Sequence, residues 1–190
     1  MRKIKFSIPM TLDGYIEGSQ HELDWVIADD ELHDFYTDLL NSADLIIYGR
    51  VTYQLMQSYW PKAASDPNTS TAMLRFANAL NPMRKIVLSK TMQDAGWNTQ
   101  IMRSLVPSEI EQLKAESGPD ILLGGGALLA QQFMRYGLID EYQLVVMPVA
   151  IGRGKALFKD VNNLPRMSLQ SSRELKSGAV VLYYHPDGDH

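Results

Sequence analysis

The run Ile121-Leu122-Leu123-Gly124-Gly125-Gly126, followed at once by the helical pattern Ala127 to Tyr136, constrains the fold of this chain more than any other feature. A short continuous apolar run reads as a buried strand, and three glycines between it and a helix make a turn with no Cβ in the way of a ligand. The helix that follows offers free N–H groups and the positive end of its dipole, which together favour phosphate. Such a strand-to-helix turn belongs in an α/β protein. It reads either as a seat for a nucleotide diphosphate or as a glycine-rich turn that only connects two elements.

The other segments repeat that order. Ile4, Phe6 and Ile8 alternate with polar residues in a first strand expected to stop at Pro9. Asp29-Asp30 opens a helix with Leu32, Phe35, Tyr36, Leu39 and Leu40 on one face, and the buried strand Leu45-Ile46-Ile47 follows. Met73, Phe76, Ala77 and Leu80 repeat the helical spacing up to Asn81-Pro82, before the strand Ile86-Val87-Leu88. A weak strand is expected at Thr99 to Met102, and Ser108 with Glu111 reads as a capping box opening the next helix after Pro107. After the glycine turn, Gly137 ends the helix and Tyr142, Leu144 and Val146 form a strand. Met167 to Leu175 and Val180 to His185 then flank Lys176-Ser177-Gly178-Ala179 as an antiparallel hairpin. The expected fold is one α/β domain over residues 1–190 with about eight strands in a mixed sheet. The segment Gln57 to Asn68, with Tyr59-Trp60-Pro61 and Asp66-Pro67, reads as a long loop.

Composition narrows the function. With no cysteine there is no disulfide framework, thiolate nucleophile or zinc-thiolate site. A formal charge of -4 and scattered Lys and Arg give no footprint for nucleic acid, so the expected partner is a small molecule. No apolar run approaches the ~20 residues that span a bilayer, and the alternating start is a strand rather than a signal peptide, so a cytoplasmic address away from membranes is expected. The histidines His21, His33, His185 and His190 have no metal spacing.

Two further turns seek anions. Tyr48-Gly49-Arg50-Val51-Thr52 runs from a buried strand through a glycine into a helix, with a guanidinium and a hydroxyl in its first turn. Ser89-Lys90 follows Leu88, placing a hydroxyl and an ammonium at the carboxyl end of a strand, the edge where ligands of open α/β sheets collect.

The order of these segments resembles the dihydrofolate reductase fold, and in particular its branch containing the riboflavin-biosynthesis reductase domain. Thr11-Leu12-Asp13-Gly14-Tyr15-Ile16 is similar to that branch's S-L-D-G-x-I opening, and Gly49-Arg50-Val51-Thr52 to its G-R-x-T. Ser89-Lys90 resembles the serine-plus-basic pair near the adenosine end, the triple glycine the pyrophosphate turn, and Pro148 to Gly154 the late P-x-x-x-G-x-G loop. The resemblance implies a three-layer α/β/α fold whose mostly parallel eight-stranded sheet ends in an antiparallel hairpin, and a homodimer. It also implies NADPH bound by Ile16, Tyr48, Gly49, Arg50, Val51, Thr52, Ser89, Lys90, Gly124, Gly125, Gly126 and Ala127. The donors around Arg50, Thr52, Ser89 and Lys90 favour NADPH over NADH, since charge-assisted bonds to a 2′-phosphate contribute ~1.5–3 kcal/mol each when well placed.

Hydride chemistry needs orientation and at most one proton donor from the protein. Trp25 and Asp30 repeat the W-x4-D spacing that sets an acid beside the pterin in dihydrofolate reductases, so Asp30 is the candidate catalytic residue, with a helix-capping role as the alternative. Asp34 replaces the aromatic residue that those enzymes place against folate, which argues against folate as substrate. Asp13, Trp25 and Arg153 are the expected substrate contacts; Asp13-Gly14 also reads as a turn, and Gly152-Arg153-Gly154-Lys155 as a grip for a substrate phosphate or a basic hairpin tip. The expected protein is a reductase of a small heterocyclic or carbonyl-type acceptor. A binder of NADPH that reduces nothing, and a dihydrofolate reductase proper, are the alternatives.

Overall fold

The computed structural model describes residues 1–161 and 166–187. Strands and helices alternate as β1 (Ile4–Thr11), β2 (Tyr15–Glu17), α1 (Asp30–Asn41), β3 (Ala43–Gly49), α2 (Arg50–Tyr59), a 3-10 turn (Trp60–Ser65), α3 (Thr71–Leu80) and β4 (Arg84–Leu88). They continue as β5 (Thr99–Met102), α4 (Pro107–Ala115), β6 (Asp120–Gly124), α5 (Ala127–Arg135), β7 (Glu141–Met147), β8 (Lys155–Ala156), β9 (Met167–Glu174) and β10 (Val180–Pro186). Eight strands make the main sheet in the order β5-β4-β3-β6-β1-β7-β10-β9, while β2 and β8 pair with each other outside it. Every pairing from β5 to β7 is parallel, and β10 runs antiparallel to both β7 and β9.

Strand alternation decides the layers. Ile4, Phe6, Ile8, Ile121 and Leu123 meet Ile110 of α4 and Ala127, Ala130 and Phe133 of α5 on one face. Ile46, Tyr48, Val87 and Leu122 point the other way, to Leu40 of α1, Tyr53 of α2 and Phe76 and Leu80 of α3. The fold is therefore the three-layer α/β/α arrangement with a mostly parallel eight-stranded sheet. The parallel strands β1, β3, β4, β6 and β7 all end at one edge, where the turns singled out in the sequence gather.

Three local expectations are corrected. β1 does not stop at Pro9 but pairs with β7 through Thr11. Lys3 accepts from Ile121 of β6 and Ile4 accepts from Asp140 before β7, so the odd residues of β1 present their main chain toward β6. That strand pairs with β1 only from Ile4 to Phe6, and the N–H that proline lacks falls beyond the end of the ladder. Second, Ser108 and Glu111 form no capping box: Val106 is the N-cap, Pro107 is the first helical residue, and Glu111 pairs with Lys114 at 3.7 Å. Third, residues 57 to 65 are helical rather than a loop, because Trp60 packs its ring 4.4 Å from that of Phe76 and the Tyr59 hydroxyl meets that of Thr69 at 2.9 Å.

Candidate active site

Pairing of Tyr48 with Gly124 and of Gly49 with Leu88 sets the ends of β6, β3 and β4 side by side. From them start α2, whose N-cap is Gly49, and α5, whose N-cap is Gly126; neither has a side-chain cap. Two helix N-termini with unshared first-turn N–H groups therefore face the same edge, in contrast to α1 and α3, which are capped by Asp29 and Ser70. The turns touch, since a Cβ on Gly125 would lie 3.5 Å from the Gly49 nitrogen.

The three glycines serve different ends. A Cβ on Gly124 would sit 2.7 Å from Tyr48 Cε1, and one on Gly125 would sit 2.7 Å from Leu129 Cδ2, so a side chain at either would displace a packed neighbour inside the protein. Around Gly126 nothing among the described residues lies within 4 Å of that position. The α-carbon of Gly126 is the one that faces open space.

Side chains around this edge divide in the same way. Arg50 is exposed and donates to Gln54 at 3.0 Å, Val51 is exposed, and Thr52 is half-buried. Tyr48, Ile16 and Ala127 are buried in the core, and burial pushes the Tyr48 phenol well above its ordinary range. Their side chains shape the edge by packing, and Ala127 adds the first main-chain N–H of α5 to it. Ser89 is buried and its hydroxyl accepts from Met92 N at 3.0 Å, which fixes the turn that exposes Lys90. The sequence reading missed Arg103, just past β5, whose guanidinium donates to the carbonyls of Met92 and of Ser89, the latter at 3.3 Å. Its signal was a basic residue directly after a strand.

On the other side of the edge, Trp25 and Arg153 line a cavity of about 200 Å³ with Gly18, Glu22, Asp24 and Ile151. The Trp25 indole donates to the Glu22 carbonyl at 3.2 Å. Asp13, an expected substrate contact, is exposed and does not line this cavity. Its carboxylate accepts from the Thr11 hydroxyl at 2.6 Å and from the main-chain N–H groups of Gly152 at 2.7 Å and Ile151 at 3.3 Å. The Thr11 hydroxyl first, then Gly152 and Ile151, holds its carboxyl below the ordinary value against the opposing effect of burial. Asp13 is thus a clamp on the 151–152 loop, while Gly14 takes the left-handed φ of +86° that the Asp-Gly turn predicts.

Asp30 is not brought to this cavity's lining. It is exposed on the face of α1 toward α3 and accepts from the Ser70 hydroxyl at 2.7 Å. Asp34 presents no charge to a substrate, because it pairs with Arg75 at 2.6 Å on the same outer face. The case against folate that rested on Asp34 therefore falls. Of the histidines, His21 meets Glu17 at 3.2 Å, His33 contacts the Asp29 carbonyl at 2.7 Å and His185 meets Glu141 at 3.5 Å; His190 lies outside the described residues.

Comparison with known proteins shows the family and the fold. The family model for the RibD C-terminal domain matches residues 2–181. The protein YyaP of Bacillus subtilis (strain 168) is 36% identical over 187 residues, covering 98% of this chain and 96% of its own length. Two solved structures share the fold at lower identity. A diaminohydroxyphosphoribosylaminopyrimidine deaminase/5-amino-6-(5-phosphoribosylamino)uracil reductase from Thermotoga maritima superposes with a TM-score of 0.67 at 16% identity, covering 98% of this chain and 57% of that one. Dihydrofolate reductase from Enterococcus faecalis, complexed with NADP(H), superposes with a TM-score of 0.65 at 14% identity, covering 98% of this chain and 97% of that one.

Proposed function

Because the chain belongs to the RibD C-terminal domain family, we propose that it is an NADPH-dependent reductase of a small heterocyclic or carbonyl-type acceptor, similar to the 5-amino-6-(5-phosphoribosylamino)uracil reductase of riboflavin biosynthesis. One observation carries this reading: two uncapped helix N-termini lie against each other at the carboxyl edge, with the open α-carbon of Gly126 between sheet and solvent.

The residues present fit the cofactor. First-turn N–H groups of α2 and α5 would hold the pyrophosphate, and Arg50, Lys90 and Arg103 would supply cations for the adenosine-side phosphate. NADPH, when bound, supplies the hydride. The protein's own share is orientation. Trp25 offers a flat apolar wall to the acceptor, and the Asp13 clamp fixes the 151–153 loop that carries Arg153 against it.

The test is NADPH binding by titration calorimetry, followed by loss of NADPH absorbance with a panel of heterocyclic and carbonyl acceptors, dihydrofolate included. Binding without turnover would favour the second reading, an NADPH-binding protein that reduces nothing. That reading draws on the engagement of Asp30 by Ser70, which leaves the expected proton donor away from the cavity. Absence of NADPH binding would overturn both.

A further inference from the structure

We propose that the acceptor cavity excludes phosphorylated compounds, parting in this from the phosphoribosyl substrate of the reductase it is likened to, and takes an uncharged or cationic, amine-bearing aromatic ring, laid on Trp25 with its nitrogen toward Glu22 and Asp24. The proposal rests on the reductase reading only in calling that ring the acceptor.

The loop Pro148 to Gly154, with Lys155 after it, has the composition of an anion grip, but its donors are already taken. Main-chain N–H groups of Ile151 and Gly152 converge, as an anion-binding nest would, on the carboxylate of Asp13 at 3.3 and 2.7 Å. An internal anion occupies the place a phosphate would need. Lys155 Nζ lies 2.7 Å from Glu17 Oε1, which also meets His21 at 3.2 Å. Gly154 is pressed so closely on the Glu17 carbonyl that a Cβ there would fall 2.3 Å from its oxygen, leaving no room for a ligand between loop and strand.

Arg153 is what remains, and it is opposed. The cavity lining holds Glu22 and Asp24 against that one guanidinium, so two carboxylates face a single cation. Glu22 is fixed in place: its Oε2 accepts from Gln20 N at 2.7 Å, and it rests on the bare α-carbon of Gly18, where a Cβ would come within 2.1 Å. Among the described residues, Asp24 carries no ion pair and is exposed. A phosphate dianion entering here would gain Arg153 and the neutral side chains of Ser19 and Gln20 but meet two like charges, whereas an ammonium or a ring N–H would gain both carboxylates and the face of the indole.

The experiment uses the full chain, with the Trp25 indole N–H resonance assigned by Trp25→Phe, and two probes of one ring size: benzylamine and phenyl phosphate. Benzylamine is expected to shift the Trp25 signal with a dissociation constant at least about tenfold below that of phenyl phosphate. In Glu22→Gln with Asp24→Asn, the ratio should close to about twofold or reverse. Phenyl phosphate binding as tightly as benzylamine to the native protein, or neither probe moving Trp25, overturns the proposal. The native ratio decides this even if the double variant does not fold. NADPH titrated into a separate sample tests the reductase reading alone: its failure there leaves the probe ratio standing, and NADPH binding beside a preference for phenyl phosphate refutes only the pocket.

Discussion

The Ser70 hydroxyl donates to the Asp30 carboxylate at 2.7 Å while accepting from the Met73 main-chain N–H at 3.3 Å. Asp30 is by this bond a link between the first turns of α1 and α3. One turn further along α1, Asp34 repeats the link through Arg75, so the acidic face of α1 is directed toward a helix and not toward a ligand.

Asp30→Asn is therefore expected to keep turnover within about twofold of the native protein, once an acceptor is found, and to lower stability by about 0.5–1 kcal/mol. Steady-state kinetics and chemical denaturation of the same preparation measure both. A fall in turnover of about 100-fold or more would restore Asp30 as a proton donor.

The triple glycine separates ligand approach from packing. Gly126 has φ -73° and ψ 179°, a conformation alanine adopts freely, and has no neighbour within 4 Å of a Cβ. Gly126→Ala should leave stability within about 0.5 kcal/mol of native and weaken NADPH binding. Gly125→Ala must displace Leu129 and should cost about 1–3 kcal/mol of stability. Thermal melts beside NADPH titrations distinguish the two, and unaltered NADPH affinity in Gly126→Ala would make the turn a structural one only.

The proposed preference for NADPH over NADH is expected from the cations at the β4 and β5 ends. Lys90 is exposed on a turn that the Ser89 hydroxyl fixes and that Arg103 reinforces through the Ser89 and Met92 carbonyls. Lys90→Ala should weaken NADPH binding about tenfold and leave NADH binding unchanged, because only the 2′-phosphate needs the charge. Equal dissociation constants of the native protein for the two cofactors would count against it.

What the sequence disclosed was local. Glycine after an apolar strand, and Gly14 at a left-handed turn, are fixed by neighbours along the chain, and the layer order follows from strand alternation. The direction of Asp30 was not legible, because it depends on a hydroxyl 40 residues away. Nor was the use of Asp13, whose partners Ile151 and Gly152 lie 138 and 139 residues on. Trp60 was misread for the same reason: its proline and polar neighbours suggest a loop until Phe76 is placed against it.

Acid should loosen the seam between β6 and β1 at Asp120. Burial opposes ionisation of this carboxyl, but the Lys3 N–H at 2.9 Å and the Lys5 ammonium at 2.9 Å outweigh it and hold its pKa below the ordinary value. A carboxyl depressed by folding contributes stability in full above its unfolded pKa of about 3.9, and that contribution is lost as pH falls through the lower folded value. Urea denaturation at steps between about pH 5 and pH 2 should show native stability falling more steeply than that of Asp120→Asn. Parallel slopes would remove Asp120 from the acid response.

The last expectation is a homodimer built on the β9 edge. β9 spans eight residues, and all but Met167 are exposed, so it has solvent on both faces as well as along its free edge. Leu169 is 54% exposed there, and Arg173, which could have discouraged pairing, lies 3.6 Å from Glu31 of α1. The edge has no proline, its register against β10 shifts at Gln170, and an exposed edge that carries an apolar residue on this scale is one that native proteins cover. The tyrosines of the C-terminal strands divide in the structure: Tyr142 is buried edge-on against Phe6 at 6.1 Å, while Tyr183 and Tyr184 are half-buried on β10 beside β9. A second copy pairing along β9 would extend the sheet through a two-fold axis and cover Leu169. Light scattering should give twice the 21.4 kDa chain mass, and Leu169→Arg should shift the equilibrium toward monomer. A particle of 21.4 kDa across a wide concentration range would leave β9 a solvated edge.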